Sequence, residues 1–436
     1  MNAREAAYKS LLRIEKDKKY AALELDSVIS SGKLDEADRS LYTSVLYGVT
    51  EKKITLDYII SLFSAKPLSR LDDSTLILLR MGCYQICFLD RIPDSAAVNE
   101  TVKLSARYSA RSKGFINAIL RKIAAQKNAI VYPSKEDDHL KYLSVKYSLP
   151  EWICKLFCDD YPEEGEKLFE FVNSDPCITL RVNTLKTSVN DLIEKTEFAE
   201  KCKYSPFGVR LKNHMSISKL PLNEGLCFVQ DEASQIECTV LDPKEGDTLI
   251  DVCACPGGKS FSAAIEMKNN GKIYSFDLHE SKLSLVTKEA EKLGISIISA
   301  VRHDSAAAVG ELIGKADRVI CDVPCSGLGV LHKKSDLRHK DEDSLNDLPE
   351  LQYKILCESA KYLKSGGTLV YSTCTILKRE NEEVVNRFLA DNDGYSLSPF
   401  SIGDTVYPGM VTMLPHVFGT DGFFIAKITV NQRHFI

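Results

Sequence analysis

The stretch Leu249–Ser260, which reads LIDVCACPGGKS, constrains the fold of this chain more than any other. An apolar run, Thr248–Val252, is followed by a Pro-Gly-Gly break, and Lys259 and Ser260 then begin a helical pattern. This strand–turn–helix order is typical of a doubly wound nucleotide-binding sheet. Glycine is required where a backbone passes so close to a ligand that a Cβ would collide. The stretch therefore predicts a ligand-binding turn at the edge of a parallel sheet.

The ligand predicted for this turn is a nucleoside without a polyphosphate. A second predicted strand, Lys272–Phe276, ends in Asp277, about 20 residues after the turn, where a carboxylate accepts hydrogen bonds from ribose hydroxyls. Neither the dinucleotide fingerprint G-x-G-x-x-G nor the phosphate loop GxxxxGKS/T occurs in the chain, so no cradle for a pyrophosphate is expected. S-adenosylmethionine is the common nucleoside of this kind, and a purely structural turn is the alternative.

Composition excludes several classes of protein. The chain of 436 residues is long enough for two or three domains, and its 44% hydrophobic and 27% charged residues are typical of a soluble globular protein. It has no signal-peptide core and no uncharged apolar run long enough to span a membrane, which predicts a cytoplasmic protein without a membrane anchor. The 14 cysteines include no C-x-x-C pair, so we expect free thiols and no metal site.

Charge is distributed unevenly along the chain. Residues 1–130 carry 21 Lys and Arg against 15 Asp and Glu, whereas the rest of the chain carries 35 against 46. A basic front module indicates docking of a polyanion, although a merely solvated basic face would give the same balance. The candidate phosphate contacts crowd two predicted helices and are Lys103, Arg107, Arg111, Lys113, Arg121 and Lys122.

Hydrophobic periodicity divides the chain into three predicted domains. Residues 1–130 show apolar stripes at spacings of three and four and are predicted to be wholly helical. Residues 131–229 contain short strand patterns around one helix, which predicts a small α+β bridge. Residues 230–436 alternate strand and helix patterns, as in a doubly wound sheet that ends in a late antiparallel strand. The predicted strands of this third domain are Thr248–Val252, Lys272–Phe276, Ile297–Val301, Arg318–Val323, Thr368–Ser372 and Phe423–Ile428, and its helices are predicted to start near Lys259, Ser281, Ser305, Leu348 and Glu380.

Reactive side chains follow neighbouring strands of this predicted sheet, at the edge where ligands bind. DVPCSG places Asp322 and Cys325 after one strand, and STCT places Cys374 after the next. Methyltransferases that act on exocyclic amines usually carry an aromatic residue where Cys325 stands, so this thiol argues against amine methylation. Asp304 follows the preceding strand, where it either contacts an adenine edge or caps a helix over Ala306–Leu312.

Methylation of a ring carbon is a reaction that needs a thiol. Carbon 5 of cytosine is a poor nucleophile, and a thiolate that adds to carbon 6 raises the electron density at carbon 5 so that it attacks a sulfonium methyl group. Protonation or hydrogen bonding at N3 of the base must accompany this addition, and Asp322 is the carboxyl predicted to supply it. Lys259 is the basic residue expected to lower the pKa of the attacking thiol. The spacing of Cys325 and Cys374 does not decide which of them attacks.

Long stretches of the chain resemble the RNA cytosine-C5 methyltransferase (RsmB/NOP, or Sun) family. QDEAS at Gln230–Ser234, CACPGGK, DVPCSG and STCT resemble its catalytic motifs, and LRMGCYQICFLDRIPDSAAVNE resembles the NusB-like RNA-binding domain that precedes them. The resemblance implies a multidomain protein with an all-α NusB-like domain, an RRM-like α+β bridge and an α/β Rossmann-like class I methyltransferase domain. It also implies that Cys374 is the nucleophile and that Cys325 assists product release.

The resemblance further implies an enzyme that uses S-adenosylmethionine to methylate carbon 5 of a cytosine in small-subunit (16S) rRNA, free or in an early ribosomal particle, and we expect a monomer. A tRNA cytosine-C5 methyltransferase is the alternative within the class, and an RNA-binding assembly factor with an inert methyltransferase fold is the alternative outside it. The residues assigned to the cofactor on the combined grounds of motif and resemblance are Cys253, Ala254, Cys255, Pro256, Gly257, Gly258, Lys259, Asp277, Lys282, Asp304 and Asp322.

The loop Leu331–Asp347 lacks the sequence RRHPDI that is usual at this place in the family. Its basic residues Lys333, Lys334, Arg338 and His339 are predicted to bind phosphates, and a solvated loop is the alternative. A cytosine stacked in a helix cannot present carbon 6 to a thiolate, so the target base must be unpaired or flipped out. We expect the helical and bridge domains to select such a site in RNA.

Overall fold

The computed structural model describes residues 2–17, 19–212 and 220–431, and the chain divides into two compact units. Unit 1 comprises Met1–Asn173 together with Leu331–Lys340, and unit 2 comprises Ser174–Val330 together with Asp341–Ile436. The first unit thus contains the helical front module and a short segment from the later part of the chain. The domain boundaries proposed from the sequence at residues 130 and 229 remain predictions.

Unit 1 is a helical bundle, as the spacing of its apolar residues predicts. Its largest core contains Ala7 and Leu11 of the first helix and Leu78 and Ile86 of the fifth, all of them buried. These residues recur every three or four positions, so each helix presents one apolar face to its neighbours. The helices are α1 Ala3–Asp17, α2 Ala21–Ser30, α3 Glu36–Glu51, α4 Lys53–Phe63, α5 Asp73–Phe88, α6 Asp94–Tyr108, α7 Lys113–Gln126, α8 His139–Tyr147, α9 Glu151–Asp160 and α10 Lys167–Val172.

Arg338 has a structural role in unit 1, which corrects its assignment as a phosphate contact. Its side chain is only 2% exposed. Its guanidinium donates hydrogen bonds to the carbonyl oxygens of Tyr147 and Val172, at 3.1 and 2.8 Å, and to Asn173 Oδ1 at 2.9 Å. His339 is also engaged internally, because its Nε2 lies 3.0 Å from the Thr50 carbonyl oxygen. Because this guanidinium is buried and already donates hydrogen bonds within the protein, it is not accessible to an RNA phosphate.

Replacing Arg338 with methionine is expected to lower the free energy of unfolding by about 3 kcal/mol, because two buried carbonyl oxygens and one half-buried amide oxygen lose their donor. Chemical denaturation of the full chain measures this change. Lys334→Met is the matched control, since Lys334 is exposed on the same segment and should leave stability unchanged. If Arg338→Met weakened RNA binding while stability stayed at the wild-type value, the phosphate role would be restored.

Unit 2 contains a small antiparallel sheet and a large mixed sheet. The small sheet has the strand order β2-β3-β1-β4 and carries helix α11. Its elements are β1 Thr179–Val182, α11 Val189–Lys195, β2 Ala199–Lys201, β3 Gly208–Leu211 and β4 Cys227–Val229, and the remaining elements of the unit are α12 Glu232–Leu241, β5 Thr248–Asp251, α13 Gly258–Glu266, β6 Lys272–Asp277, α14 Glu280–Leu293, β7 Ile298–Arg302, β8 Ala316–Asp322, α15 Leu348–Ala360, β9 Leu363–Thr373, α16 Glu382–Asp391, β10 Tyr395–Leu397, β11 Phe400–Ile402, β12 Thr405–Tyr407, β13 Met410–Met413, α17 Pro415–Phe418 and β14 Phe423–Val430.

The large sheet is the doubly wound sheet that the sequence predicts. Its strand order is β10-β14-β9-β8-β5-β6-β7, with β13 beside β14. Strands β5 to β9 are parallel, and β14 runs antiparallel to β9. Side chains alternate between the faces of each strand, so Ile320 packs with the α12–α14 layer and Cys321 packs with the α15–α16 layer. Strand order reverses between β5 and β8, which places a ligand crevice at their carboxyl ends.

The helix predicted over Ala306–Leu312 does not form, and only its last three residues adopt a short 3-10 helix. The Ala308 N–H donates to Glu358 Oε2 at 3.0 Å, and the Val309 N–H donates to the Tyr362 hydroxyl at 2.9 Å. Buried backbone amides need a partner, and here side chains supply it in place of helical carbonyls. The local pattern could not reveal this because both side chains come from a later part of the chain.

Candidate active site

Two thiols predicted to act together are in contact at the edge of the large sheet. Cys325 follows β8, Cys374 follows β9, and their Sγ atoms are 3.3 Å apart. The strands are parallel neighbours with Asp322 opposite Ser372, so sheet register brings together residues that are distant in the sequence. The hydrogen bond to Cys374, together with burial, raises the pKa of Cys325 well above its usual value. The neutral thiol of Cys325 is therefore favoured, and either sulfur can donate in this contact.

Buried polar groups hold the loop that carries Cys325. The Ser326 N–H donates to Glu380 Oε2 at 2.8 Å, and the Ser326 hydroxyl donates to the Thr375 hydroxyl at 2.8 Å. Gln352 Nε2 donates both to the Pro324 carbonyl oxygen, at 2.9 Å, and to Glu380, at 2.8 Å. Glu380 is fully buried. These bonds keep the loop against the end of β9.

Gly329 provides a second anchor for the two loops. Its N–H donates to the Cys374 carbonyl oxygen at 3.0 Å, and its own carbonyl accepts from the Gly422 N–H at 2.9 Å. A Cβ at Gly329 would lie 2.0 Å from the Gly422 carbonyl oxygen, a distance that no side chain can occupy. Glycine is therefore required for the backbone to approach Cys374 this closely.

Lys259 lies between two carboxyl groups. Its Nζ forms a short ion pair with Asp322 Oδ2 and lies 3.3 Å from Glu237 Oε2. The Ser372 hydroxyl donates to the other Asp322 oxygen at 3.1 Å. Burial lowers the pKa of Lys259, but the charges of Asp322 and Glu237 outweigh burial and raise it above its usual value. The lysine therefore stays charged and is the counter-ion of Asp322.

Asp251, at the end of β5, is a third carboxyl beneath the same edge. It is buried, and its Oδ2 accepts a hydrogen bond from the Ser260 hydroxyl at 2.6 Å. Ser260 Oγ also lies 2.7 Å from Ser275 Oγ of the neighbouring strand. Burial raises the pKa of Asp251 to about 7. This carboxyl fastens the first turn of α13 to the sheet.

The Pro-Gly-Gly turn adopts a conformation that only glycine tolerates. Gly257 has a φ of 109°, and a Cβ there would lie 2.4 Å from the Phe261 ring. The Ala254 N–H donates to the Phe276 carbonyl oxygen at 2.8 Å, which ties the turn to β6. Gly258 then begins α13, so the free backbone amides of a helix N-terminus face the crevice. A helix that begins in this way can bind a ligand through its first backbone amides.

The remaining residues assigned to the cofactor lie around this turn. Asp277 ends β6, and its Oδ1 accepts a hydrogen bond from the His279 N–H at 2.8 Å. Burial, together with a hydrogen bond to Asp277, raises the pKa of the Cys255 thiol to about 12. Lys282 and Asp304 are exposed, and Asp304 Oδ1 accepts from the Ala306 N–H at 3.0 Å. Asp304 thus caps a turn, not the helix considered above.

The residues predicted to bind RNA phosphates in the front module are exposed on α6, on α7 and in the short segment between them. Lys103 pairs with Glu100 at 2.6 Å, and Arg107 pairs with Glu5 at 3.0 Å. The others form no ion pair within the part of the chain that the structure describes and are Arg111, Lys113, Arg121 and Lys122. In the later loop Lys334 is exposed and Lys333 is half-buried.

Sequence reasoning missed Glu237 and Glu380. Glu237 interrupts an apolar helical pattern that includes Ile236, Val240 and Leu241, and a carboxyl in that position signals a buried partner. Glu380 has no comparable signal, because it follows β9 in a polar stretch and its partners come from other elements.

The fold and the site together define a class of protein. A doubly wound sheet that ends in an antiparallel strand, with a glycine turn after its first strand and polar groups at its switch point, is the Rossmann-like methyltransferase architecture. Among the described residues no helix is long and apolar enough to cross a membrane. In the same residues no group of three or more His, Cys, Asp or Glu side chains is arranged to hold a metal ion.

Comparison with known proteins gives the family. Residues 238–429 match the family model described as 16S rRNA methyltransferase RsmB/F, residues 1–125 match the NusB family, and residues 149–218 match a ferredoxin-like domain of RsmF/B-like methyltransferases. The chain belongs to the ribosomal RNA small subunit methyltransferase B family. This confirms the family resemblance and the multidomain fold predicted from the sequence.

Two relatives and one solved structure cover nearly the whole chain. The "Probable ribosomal RNA small subunit methyltransferase B" of Bacillus subtilis (strain 168) is 36% identical in an alignment 443 residues long that covers 98% of each protein. The protein of the same name from Synechocystis sp. is 34% identical over 98% of this chain and 99% of its own length. The crystal structure of PH0851 is similar with a TM-score of 0.81 and 27% identity, over 97% of this chain and 98% of that one.

Proposed function

We propose that this protein transfers a methyl group from S-adenosylmethionine to carbon 5 of a specific cytosine in small-subunit rRNA, with a transient bond between Cys374 and carbon 6 of the base. The observation that carries the proposal is the contact of two thiols, 3.3 Å apart, beside the carboxyl group of Asp322. An amine or a hydroxyl is methylated without a thiol, whereas a ring carbon needs one. The contact therefore favours carbon methylation over the other reactions of this fold.

S-adenosylmethionine fits the residues around the glycine turn. The tight turn at Gly257 and the amides at the start of α13 leave the backbone open to a nucleoside, and Asp277 ends the next strand, where a carboxylate binds ribose hydroxyls. When bound, S-adenosylmethionine supplies a methyl group on a positively charged sulfur. Cys253–Lys259, Asp277, Lys282, Asp304 and Asp322 are the residues proposed to hold it.

Cys374 is the proposed nucleophile. The assignment rests on the resemblance of STCT to the motif of the family, and the Cys325 thiol, 3.3 Å away, can donate a hydrogen bond to a thiolate on Cys374. A thiolate is the reactive form of cysteine. As Cys374 adds to carbon 6, a proton is needed at N3 of the base, and Asp322 is the carboxyl proposed to bring it there.

The later steps return both thiols to their starting state. Once carbon 5 carries the methyl group, a water molecule takes its proton, and the electrons of that C–H bond reform the double bond between carbons 5 and 6 as the Cys374 sulfur departs. The neighbouring thiol of Cys325 stabilises the departing thiolate through the same hydrogen bond. Without Cys325 we expect this last step to slow most.

The target base must leave its stack to reach these thiols. The exposed cations of α6 and α7 and Lys333 and Lys334 are proposed to bind RNA phosphates, with the helical domain as the RNA-binding module. A tRNA substrate is the alternative. No observation in the structure favours tRNA over rRNA, and the family favours rRNA.

The proposal is tested by incubating the full chain with methyl-labelled S-adenosylmethionine and unmethylated small-subunit rRNA, with unmodified tRNA as a parallel substrate. Mass spectrometry of the nucleosides should find label in 5-methylcytidine from rRNA. Label in tRNA alone would support the alternative substrate. Absence of label from both RNAs, including rRNA in a small-subunit particle, would contradict the proposal.

A further inference from the structure

Glu237 is a buried carboxyl group that the proposed reaction does not yet use. It lies on α12, its side chain is 1% exposed, and its Oε2 is 3.3 Å from Lys259 Nζ. By hydrogen-bond geometry neither oxygen has a partner in the described part of the chain, although the Ser372 hydroxyl, which donates to Asp322, is near enough to lower the pKa of Glu237. An ionised carboxylate in such a place has lost its water and has gained few donors in return.

The charges around Glu237 favour its neutral form. Lys259 on α13 carries one positive charge, and it is already paired with Asp322 on β8, whose side chain is 27% exposed. The other titratable neighbours are Asp251 on β5, Cys321 on β8 and Cys238 on α12, and none of them is a cation. Burial raises the pKa of Glu237 to about 8. A proton is therefore held on Glu237 while the Asp322–Lys259 pair remains ionised.

We propose that Glu237 is the internal proton store for Asp322, and that it passes its proton through Lys259. This inference rests on the proposed function. Glu237 gives its proton to the Lys259 nitrogen as that nitrogen gives one to Asp322, and Asp322 gives one to N3 of the cytosine. The negative charge that disappears when the Cys374 thiolate bonds to carbon 6 reappears on Glu237. Reversal of the same transfers accompanies departure of the thiol.

This arrangement makes Glu237 a positioning residue, because it acts through Lys259 and Asp322 and does not touch the base. The source of the proton is then the buried Glu237, and Asp322 is the more exposed carboxyl that passes the proton to the base. Asp322 can then stay ionised and bound to Lys259 until the base arrives. A rate that depends on a proton held by Glu237 should fall as the pH rises through about 8.

The test compares Glu237→Gln with the wild type in single-turnover methylation from about pH 6 to about pH 10. Glutamine keeps the shape of the side chain but holds no transferable proton. We expect the rate at neutral pH to fall about tenfold or more and the decline above pH 8 to disappear. Glu266→Gln is the matched control, because Glu266 is a half-buried carboxyl, 12% exposed, that pairs with a different cation, Arg181, at 3.0 Å. It should keep the wild-type pH profile.

A second measurement does not depend on activity. Glu237 binds a proton in the folded protein at a pH where the unfolded chain has released it, so its contribution to stability is full below the ordinary carboxyl pKa and is lost as the pH rises to about 8. The wild-type Tm should therefore fall more steeply with pH over this range than that of Glu237→Gln. Glu237→Leu serves the same comparison if the glutamine variant does not fold.

The outcomes separate this inference from the proposed function. If the wild type makes 5-methylcytidine and Glu237→Gln keeps both the wild-type pH profile and the wild-type dependence of Tm on pH, the proton store is wrong while the proposed function stands. If the wild type makes no 5-methylcytidine, the proposed function fails and this role fails with it. Loss of the decline above pH 8 in Glu237→Gln alone supports the inference.

Discussion

Replacing Cys374 with alanine is expected to lower the rate of methyl transfer to RNA by about three orders of magnitude or more, because removal of a covalent nucleophile leaves only binding and orientation to act. The same variant should form no covalent complex with RNA. Both results are read from label transfer and from denaturing gels of enzyme mixed with labelled RNA and S-adenosylmethionine. Binding of RNA should be close to that of the wild type.

Cys325→Ala should behave in the opposite way on the gel. It keeps the nucleophile but loses the thiol that lies 3.3 Å from it, so addition proceeds and release slows. We expect the RNA-linked form to accumulate. Cys357→Ala is the matched control, since Cys357 is a half-buried cysteine on α15 and should leave both readouts unchanged. Accumulation in Cys374→Ala, with none in Cys325→Ala, would exchange the two roles.

Lys259→Met is expected to reduce both stability and activity. The side chain of Lys259 is 13% exposed and lies between Asp322 and Glu237, and removing one partner of a buried ion pair lowers the free energy of unfolding by about 3–5 kcal/mol. Activity should fall by about a hundredfold or more, because Asp322 would no longer be held or supplied with a proton. Urea denaturation and label transfer measure the two effects.

The loss of stability in Lys259→Met should depend on pH with a definite sign. Burial raises the pKa of Glu237 to about 8, so this carboxyl ionises in the folded protein only at higher pH. Without the lysine, the defect should therefore be larger at pH 9 than at pH 6, because more uncompensated negative charge is then buried. Lys288→Met, at an exposed position of α14, is the control. An equal defect at both pH values would contradict this account of the cluster.

Some parts of the site could be predicted because their signals are local. The Pro-Gly-Gly turn, the start of α13 and the position of Asp277 follow from strand and helix periods that extend over only a few residues. The placement of Cys325 and Cys374 after adjacent strands also followed, because parallel strands present their carboxyl ends at one edge. The contact between their sulfurs needed the register of β8 against β9.

Other features depend on residues that lie far apart in the sequence. From the sequence, Arg338 was predicted to bind phosphate because it lies in a basic loop. In the structure it is buried and donates hydrogen bonds to carbonyl oxygens of α8 and α10. In the sequence Glu237 is a single charged residue in an apolar helical pattern, and only the packing of α12 shows that it pairs with Lys259. The helix expected after Asp304 is replaced by turns because side chains from α15 and beyond satisfy its amides.

The sequence by itself determined the class of fold and its multidomain layout and predicted the edge of the sheet at which the candidate site lies, because periodicity and turn chemistry are properties of neighbouring residues. Only the tertiary structure decided which buried charges face each other and which cations are exposed. Burial and pairing depend on how distant elements pack, and the energy of a charge in the interior depends on its partners more than on its own identity.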